Sequence, residues 1–341
     1  MLEALLKDTA SFCERERLIP PGAGVLVACS GGPDSLALLD ILSRLSGLAK
    51  YDFSVEAAHF EHGIRLEGGA SREDAEFVAD FCRQRHIPCT VGHGDVPRWA
   101  GEKQLSLETA ARECRYAFLE ETRKARGLDL IATAHQADDQ AETVLMRILR
   151  GTGTMGLAAM RPRVWGRLPI IRPLLFAPRG AIEAYCEARK LMPRQDATNE
   201  LLDCTRNKLR LKTLPMLKEE YNPRLFQALC QLADICAVET DYVNSQAEAA
   251  FAGLHSSLGL ETGGFRKLHQ ALQWAVIRLF WQQETGSGQD LPYAHVQRLC
   301  RVLTEGHAGS QQQLPHGYCL RLCRKDKMLY ARLNRGEVNP S

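Results

Sequence analysis

Residues 25–35 read Val-Leu-Val-Ala-Cys-Ser-Gly-Gly-Pro-Asp-Ser. Five apolar residues ahead of a Gly-Gly-Pro turn have the length of a strand buried on both faces. Residues 35–46 that follow are largely apolar and free of Gly and Pro, as a packed helix requires. The two glycines let the backbone turn tightly and come close to a ligand. Amide groups of such a turn, backed by a helix N-terminus, form an anion site. Ser30 and Ser35 add hydroxyl donors suited to phosphate oxygens. Asp34 is the exception, because a carboxylate beside phosphates is repulsive unless a cation lies between them. It therefore predicts Mg2+. The string fits neither G-x-x-x-x-G-K-[ST] nor G-x-G-x-x-G.

Working outward, the pattern of strand then helix repeats. Strands are expected at 55–60, 89–91 and 129–134. Helices are expected at 71–85, at 106–126 with Ser106 as N-cap and Gly127 as C-cap, and at 137–150. Such repeats build an α/β fold, a doubly wound and mostly parallel sheet with helices on both faces. Its ligands bind where the strands end and the βα loops gather. Beyond the Gly-rich residues 151–156 the texture changes. A strand at 168–171, a helix at 178–191, a basic helix at 205–220 and a long helix at 225–247 are expected. Helices near 268–283 and 294–304 and strand-like pieces at 317–333 complete a smaller, mainly helical C-terminal domain. The organisation expected is a catalytic domain over 1–222, a linker helix over 223–247 and a small domain over 248–335.

At 341 residues the chain exceeds the comfortable size of one core. Its 45% hydrophobic and 25% charged content is that of a globular protein, which excludes wholesale disorder. The N-terminus interleaves acids and bases with apolar residues, unlike a signal peptide, and no stretch is apolar enough to span a membrane. A cytoplasmic location is expected. The twelve cysteines include no C-x-x-C pair and read as reduced, core-filling thiols. Net charge is only +2, but it is unevenly spread. Residues 1–160 hold 18 Lys/Arg against 24 Asp/Glu, residues 161–224 hold 14 against 7, and residues 225–341 hold 11 against 10. The basic block suits phosphate contacts; a solvated helical face is the plainer reading of the same charges.

Three further groups carry chemistry. At 100° per residue, His135, Asp138, Asp139 and Glu142 fall within roughly a 100° arc of one helix face. Carboxylates so crowded need a cation, and Mg2+ or an amine would serve. Glu108, Arg112 and Arg115 share a face of another helix. One arginine is expected to pair with Glu108 and the other to reach a phosphate. Arg206, Asn207, Lys208 and Arg210 open the basic helix, where arginine forks can hold phosphates. His59, with Phe60 and His62 near the end of the second strand, is placed to flank a nucleotide base.

These residues together carry a resemblance. The string SGGPDS is the signature of the PP-loop (N-type) ATP pyrophosphatase superfamily. HFEHGIR, SLETAARECRY, HQADDQAETVLMRILRGTG, IIRPLL and RNKLR, in that order over about residues 20–220, resemble the tRNA(Ile)-lysidine synthetases. LPHGYCLRL near 314–322 is similar to that family's small second domain, and the further C-terminal domain of longer members is not expected. Where members read RNRIRHELLP this chain has RNKLRLKTLP, so no role is carried onto Lys212.

The resemblance implies an ATP-dependent carbon–nitrogen ligase that joins L-lysine to C2 of the wobble cytidine in the CAU anticodon of tRNA(Ile). Reading would change from AUG to AUA through an adenylated cytidine, with AMP and pyrophosphate released. It assigns Ser30, Gly31, Gly32, Pro33, Asp34, Ser35 and His59 to ATP, with Mg2+ on Asp34. Arg112 or Arg115 would neutralise the α-phosphate. Asp138, Asp139 or Glu142 would hold the lysine ammonium, one of them taking its proton, with His135 a second base candidate. Arg206, Asn207, Lys208 and Arg210 would contact tRNA. A homodimer stays open beside a monomer. Rival chemistries are weaker. Thiolating relatives use C-x-x-C pairs, which this chain lacks, and amidotransferase-linked ligases need a glutaminase. A non-enzymatic scaffold would not need three carboxylates beside a phosphate loop.

Overall fold

The computed structural model describes residues 2–61, 63, 70–166, 168–194, 205–286 and 291–335. The chain divides into two units, 1–235 and 236–341. The first opens with α1 (Leu2–Arg15) and then alternates: β1 (Ala23–Ala28), α2 (Pro33–Ser46), β2 (Phe53–Glu61), α3 (Ala70–Gln84), β3 (Cys89–His93). Next come α4 (Val96–Lys103), α5 (Leu107–Ala125), β4 (Leu130–Ala132) and α6 (Ala137–Arg150). After a short α7 (Thr154–Leu157) follow β5 (Arg163–Val164), β6 (Ile170–Ile171), α8 (Arg179–Ala188), α9 (Thr205–Lys208) and α10 (Leu214–Glu220).

The sheet order is β3-β2-β1-β4-β6-β5, parallel except at the β5 edge. Strand β1 pairs with β2 on one side and β4 on the other. The winding therefore reverses at β1, and the crevice beyond the ends of β1 and β4 is the ligand position of such sheets. Alternation along β1 fills both layers. Val25 and Val27 pack with Leu36, Leu39 and Leu42 of α2, whereas Leu26 packs with Leu119 of α5 and Ile131 of β4. Gly24 is needed where β1 meets the turn before β4, since a Cβ there would lie 2.6 Å from Leu128 Cδ2.

The sequence reading omitted α1, whose interleaved charges hide an apolar stripe; Leu5, Leu6, Ala10 and Phe12 are buried. The strand expected over 129–134 is shorter because Asp129 turns its carboxylate to accept from the Gly24 N–H at 2.8 Å. The basic helix expected over 205–220 is interrupted by a π turn, Leu209–Thr213. Pro215 has no N–H for the Leu211 carbonyl, and the Leu214 N–H reaches back to Leu209 instead.

A long helix, α11 (Leu225–Leu254), carries the unit boundary. The second unit continues with β7 (His255–Ser256), β8 (Gly259–Glu261), α12 (Thr262–Lys267), α13 (Gln270–Thr285) and α14 (Tyr293–Glu305). It ends with β9 (Gln311–Gln313), β10 (Tyr318–Lys325) and β11 (Met328–Arg335). Five strands form an antiparallel sheet, β7-β8-β11-β10-β9, packed on the helices through Phe265, Phe280, Trp281, Leu299 and Leu320. The β10–β11 hairpin turns on Asp326 and Lys327, at φ 50° and 68°, as a two-residue hairpin turn requires. Among the described residues no helix is long and apolar enough to cross a membrane.

Candidate active site

Residues 30–35 bridge β1 and α2 at the winding reversal. Gly31 sits at φ 88°, a conformation that disfavours side chains, and a Cβ there would meet Val78 Cγ2 at 3.3 Å. The loop is tied from within by Ser35. Its buried hydroxyl accepts from the Ser30 N–H at 3.2 Å and lies 3.0 Å from the Gly32 carbonyl. Ser35 is thus spent on the loop's own shape, while Ser30, whose hydroxyl lies 3.2 Å from that of Ser35, is exposed on the side a ligand would approach. Asp34 Oδ1 is buried without a hydrogen-bond partner. Burial, and then the charge of Asp139, push the Asp34 carboxyl up to about 6. A buried oxygen left without a partner, on a carboxyl that resists ionising, is what a divalent cation would relieve. Among the described residues no three His, Cys, Asp or Glu side chains converge as a metal cage. Mg2+ here would draw its remaining ligands from phosphate and water.

The helix after β4 supplies the second half of the site. Gln136 caps α6, accepting from the Asp138 N–H at 2.7 Å, while Asp139 Oδ2 accepts from the Gln136 N–H at 3.2 Å. Asp138 Oδ2 accepts from the Arg179 N–H at the start of α8, 3.0 Å away. Asp139 Oδ1 accepts from both Arg206 and Arg210, each at 3.0 Å. Glu142, 1% exposed, accepts from Arg206 Nε at 2.8 Å and from Arg210 Nε at 2.5 Å. The cations that the acidic face calls for are supplied by the chain itself. Arg206 and Arg210, expected as phosphate contacts, turn inward here, because a buried Glu142 without a partner would be far more costly. Lys208, by contrast, is exposed, and Asn207 sits between them on the same turn.

His135 lies just before α6, with Nδ1 2.9 Å from Thr133 Oγ1. Burial, then the charges of Arg172, Arg206, Arg112 and Arg115, push its pKa down to about 3. An imidazole so acidic is a poor proton acceptor at neutral pH, which argues against the base role that the sequence left open to it. His59 is 5% exposed near the end of β2, its Nδ1 2.9 Å from the Cys29 carbonyl, directly behind the phosphate loop. Burial lowers its pKa as well. His62 lies outside the described residues.

The expected pairing of Glu108 with an arginine does not form. Both Arg112 and Arg115 lie over Tyr116, with guanidinium carbons 4.8 and 5.6 Å from the ring centroid. The aromatic face at i+4 and i+1 offers a better-packed partner than an exposed carboxylate. The structure also adds a residue that the sequence reading passed over. Arg172 follows β6 directly and is 7% exposed. A charged residue ending a buried apolar strand (IIRPLL) is the signal that would have found it.

The chain matches the PP-loop domain family over residues 6–217 and the TilS substrate binding domain family over residues 260–330. Similar curated proteins include the tRNA(Ile)-lysidine synthase of Clostridium acetobutylicum, 42% identical over 72% of this chain and 52% of that one. That of Geobacillus kaustophilus is 38% identical over 81% and 59%, and that of Symbiobacterium thermophilum 45% identical over 69% and 48%. The chain thus spans about half to three fifths of these relatives' length. Among solved structures, a U34-tRNA thiolase from Methanococcus maripaludis superposes with a TM-score of 0.56 at 17% identity, covering 69% of this chain and 80% of that one. At that identity the likeness concerns the fold alone.

Proposed function

We propose, from the premise that this chain belongs to the PP-loop domain family, that it joins L-lysine to C2 of the wobble cytidine of a CAU-anticodon tRNA(Ile) at the expense of ATP. The observation that carries this reading most is that a PP-loop domain and a TilS substrate binding domain share one chain. Curated relatives at 34–45% identity bear the name tRNA(Ile)-lysidine synthase.

In this reading the amides of residues 30–35 and the exposed Ser30 hydroxyl take the β- and γ-phosphates, and His59 steadies the loop from behind. Mg2+ held by Asp34 would neutralise phosphate charge. The cytidine C2 oxygen attacks the α-phosphorus as the bond to the β-phosphate breaks, and pyrophosphate leaves. Arg112 and Arg115 balance the charge that develops. The lysine amine then attacks C2, the C2–O bond breaks, and AMP leaves. The ammonium is received by Asp139 and Glu142, taking the place of a guanidinium, and a carboxylate of the Asp138, Asp139, Glu142 group accepts its proton. Arg206 and Arg210, so displaced, become available to RNA phosphates, alongside Lys208 and Asn207. Residues 1–222 would hold the chemistry, 223–247 would link, and 248–335 would bind the tRNA body. The reaction belongs in the cytoplasm, where tRNA is modified.

The test is lysine transfer. Radiolabelled lysine, ATP, Mg2+ and an isoleucine tRNA transcript with a CAU anticodon should give acid-precipitable label. Folded protein that hydrolyses ATP yet transfers no lysine would overturn the reading.

A further inference from the structure

Arginine is almost never buried without an anion, because desolvating a guanidinium is costly unless its charge and N–H groups are matched. Arg172 breaks that rule. Among the described residues its guanidinium meets only a backbone carbonyl, that of Arg161, 2.6 Å from Nη1, and its Nε is buried with no partner. Two more guanidiniums, those of Arg112 and Arg115, gather over Tyr116, and among the described residues neither meets a carboxylate. Arg172 stands close enough to Tyr116 and Arg112 for all three to interact electrostatically.

Their placement follows from the topology. Arg172 leaves the end of β6, which lies parallel to β4. His135 leaves the end of β4, and the phosphate loop leaves the end of β1 one strand further on. Arg172 therefore stands at the same end of the sheet as the phosphate loop but two strands away from it, and it, Arg112 and Arg115 all act on His135. Arg206, the fourth cation beside His135, is already matched by Asp139 and Glu142. Arg172 is thus buried beside a neutral imidazole with no anion among the described residues, and two exposed guanidiniums, held over Tyr116 and meeting no carboxylate there, stand with it. That arrangement is electrostatically incomplete without an anion.

We propose that Arg172, with Arg112 and Arg115, forms a phosphate-binding site separate from the phosphate loop, occupied by a phosphodiester or nucleotide phosphate. Arg172 supplies the Nε–H and a fixed charge, and the two helix arginines close over the anion from α5. His135 lines the site as a neutral neighbour, with Nδ1 engaged by Thr133. The carrier of that phosphate, ATP at its α-position or the RNA backbone, depends on the lysidine reading; the site itself does not.

Full-length protein is titrated with radiolabelled inorganic phosphate by equilibrium dialysis, and the His135 ring is followed by 13C-edited NMR, its signal assigned by loss in His135→Asn. Two phosphate sites are expected, and only the one lost in Arg172→Gln should move His135. Affinity at that site should fall at least tenfold in Arg172→Gln and be partly restored in Arg172→Lys. Arg112→Gln gives a second reading should Arg172→Gln fold poorly. Displacement of this phosphate by α,β-methylene-ATP assigns the site to the nucleotide, and displacement by an anticodon stem–loop RNA alone assigns it to the backbone. A single phosphate site indifferent to Arg172→Gln and Arg112→Gln, with His135 unmoved by phosphate, nucleotide and RNA, would overturn the proposal. Absent lysine transfer with this site intact would instead count against the function proposed above.

Discussion

Replacing Asp34 by Asn should make the protein more stable and useless at once. The folded chain holds the Asp34 carboxyl at about 6 against an ordinary 3.8, chiefly through burial and secondly through Asp139. Between those two pH values the folded state binds the proton and the unfolded state has lost it. Stability therefore falls as pH rises through this window, and the whole penalty is present above it. At about 1.4 kcal/mol per pH unit the full difference approaches about 3 kcal/mol. Partial exposure and solvent screening bring the expected figure to about 1–3 kcal/mol. Asparagine mimics the protonated form and carries no such penalty. Asp34→Asn should thus match the native chain near pH 4 and exceed it above pH 6, by roughly 3–10 °C in the melting of the catalytic unit. The assay is differential scanning calorimetry in EDTA across pH 4–8. Added Mg2+ should then stabilise the native chain and not the variant. A variant equal to or less stable than the native chain at pH 7.5 would refute the burial argument.

Four further outcomes follow from the same structure. Arg210→Ala removes a partner of buried Glu142 and should lower the urea unfolding free energy by about 2–4 kcal/mol; adding Glu142→Gln should recover part of the loss, a coupling that a double-mutant cycle measures. Gly31→Ala, forced to φ 88° against Val78, should lose about 1–3 kcal/mol of stability and its ATP binding, both read by thermal shift with and without nucleotide. Arg189→Ala removes the two-pronged partner of buried Asp40, which accepts from Arg189 at 3.0 and 3.2 Å but keeps the Tyr185 hydroxyl at 2.6 Å and Arg85 at 3.8 Å; unfolding should come about 1–2 kcal/mol more easily, with kcat/KM of the folded protein unchanged. Lys208→Ala, at an exposed position, should weaken RNA binding uniformly and reduce its log–log salt slope by about 1, as filter binding over a salt series would report.

The reading from residues went furthest where one segment's own pattern decides its structure. Residues 25–35 announced strand, glycine turn and helix, and β1 and α2 follow that text to within two residues. The helix capped by Ser106 forms as expected, with the Ser106 hydroxyl accepting from the Thr109 N–H at 3.2 Å. Of the acidic stretch from Asp138 to Glu142, Asp139 stands close enough to the phosphate loop to act on Asp34. What stayed hidden depends on partners distant in sequence. Nothing in RNKLR says that its arginines fold back on carboxylates more than sixty residues earlier, because an exposed basic helix and an inward latch share one composition. Arg172 looked like part of an apolar run until the sheet put its neighbours beside it. The antiparallel sheet of the second unit was hard to see because β7, β8 and β9 are two or three residues long, and β9 is Gln-Gln-Gln.

The central claim concerns one bond on one base, and mass spectrometry of that base tests it. The CAU transcript, after reaction with ATP and 13C-labelled lysine, is digested to nucleosides and the anticodon cytidine is isolated. The account predicts a cytidine heavier by one lysine less one water, its label bonded through nitrogen at C2, and no such product when the anticodon cytidine is replaced by uridine. Unmodified cytidine after full ATP turnover, or lysine esterified at the 3′ end, would contradict it.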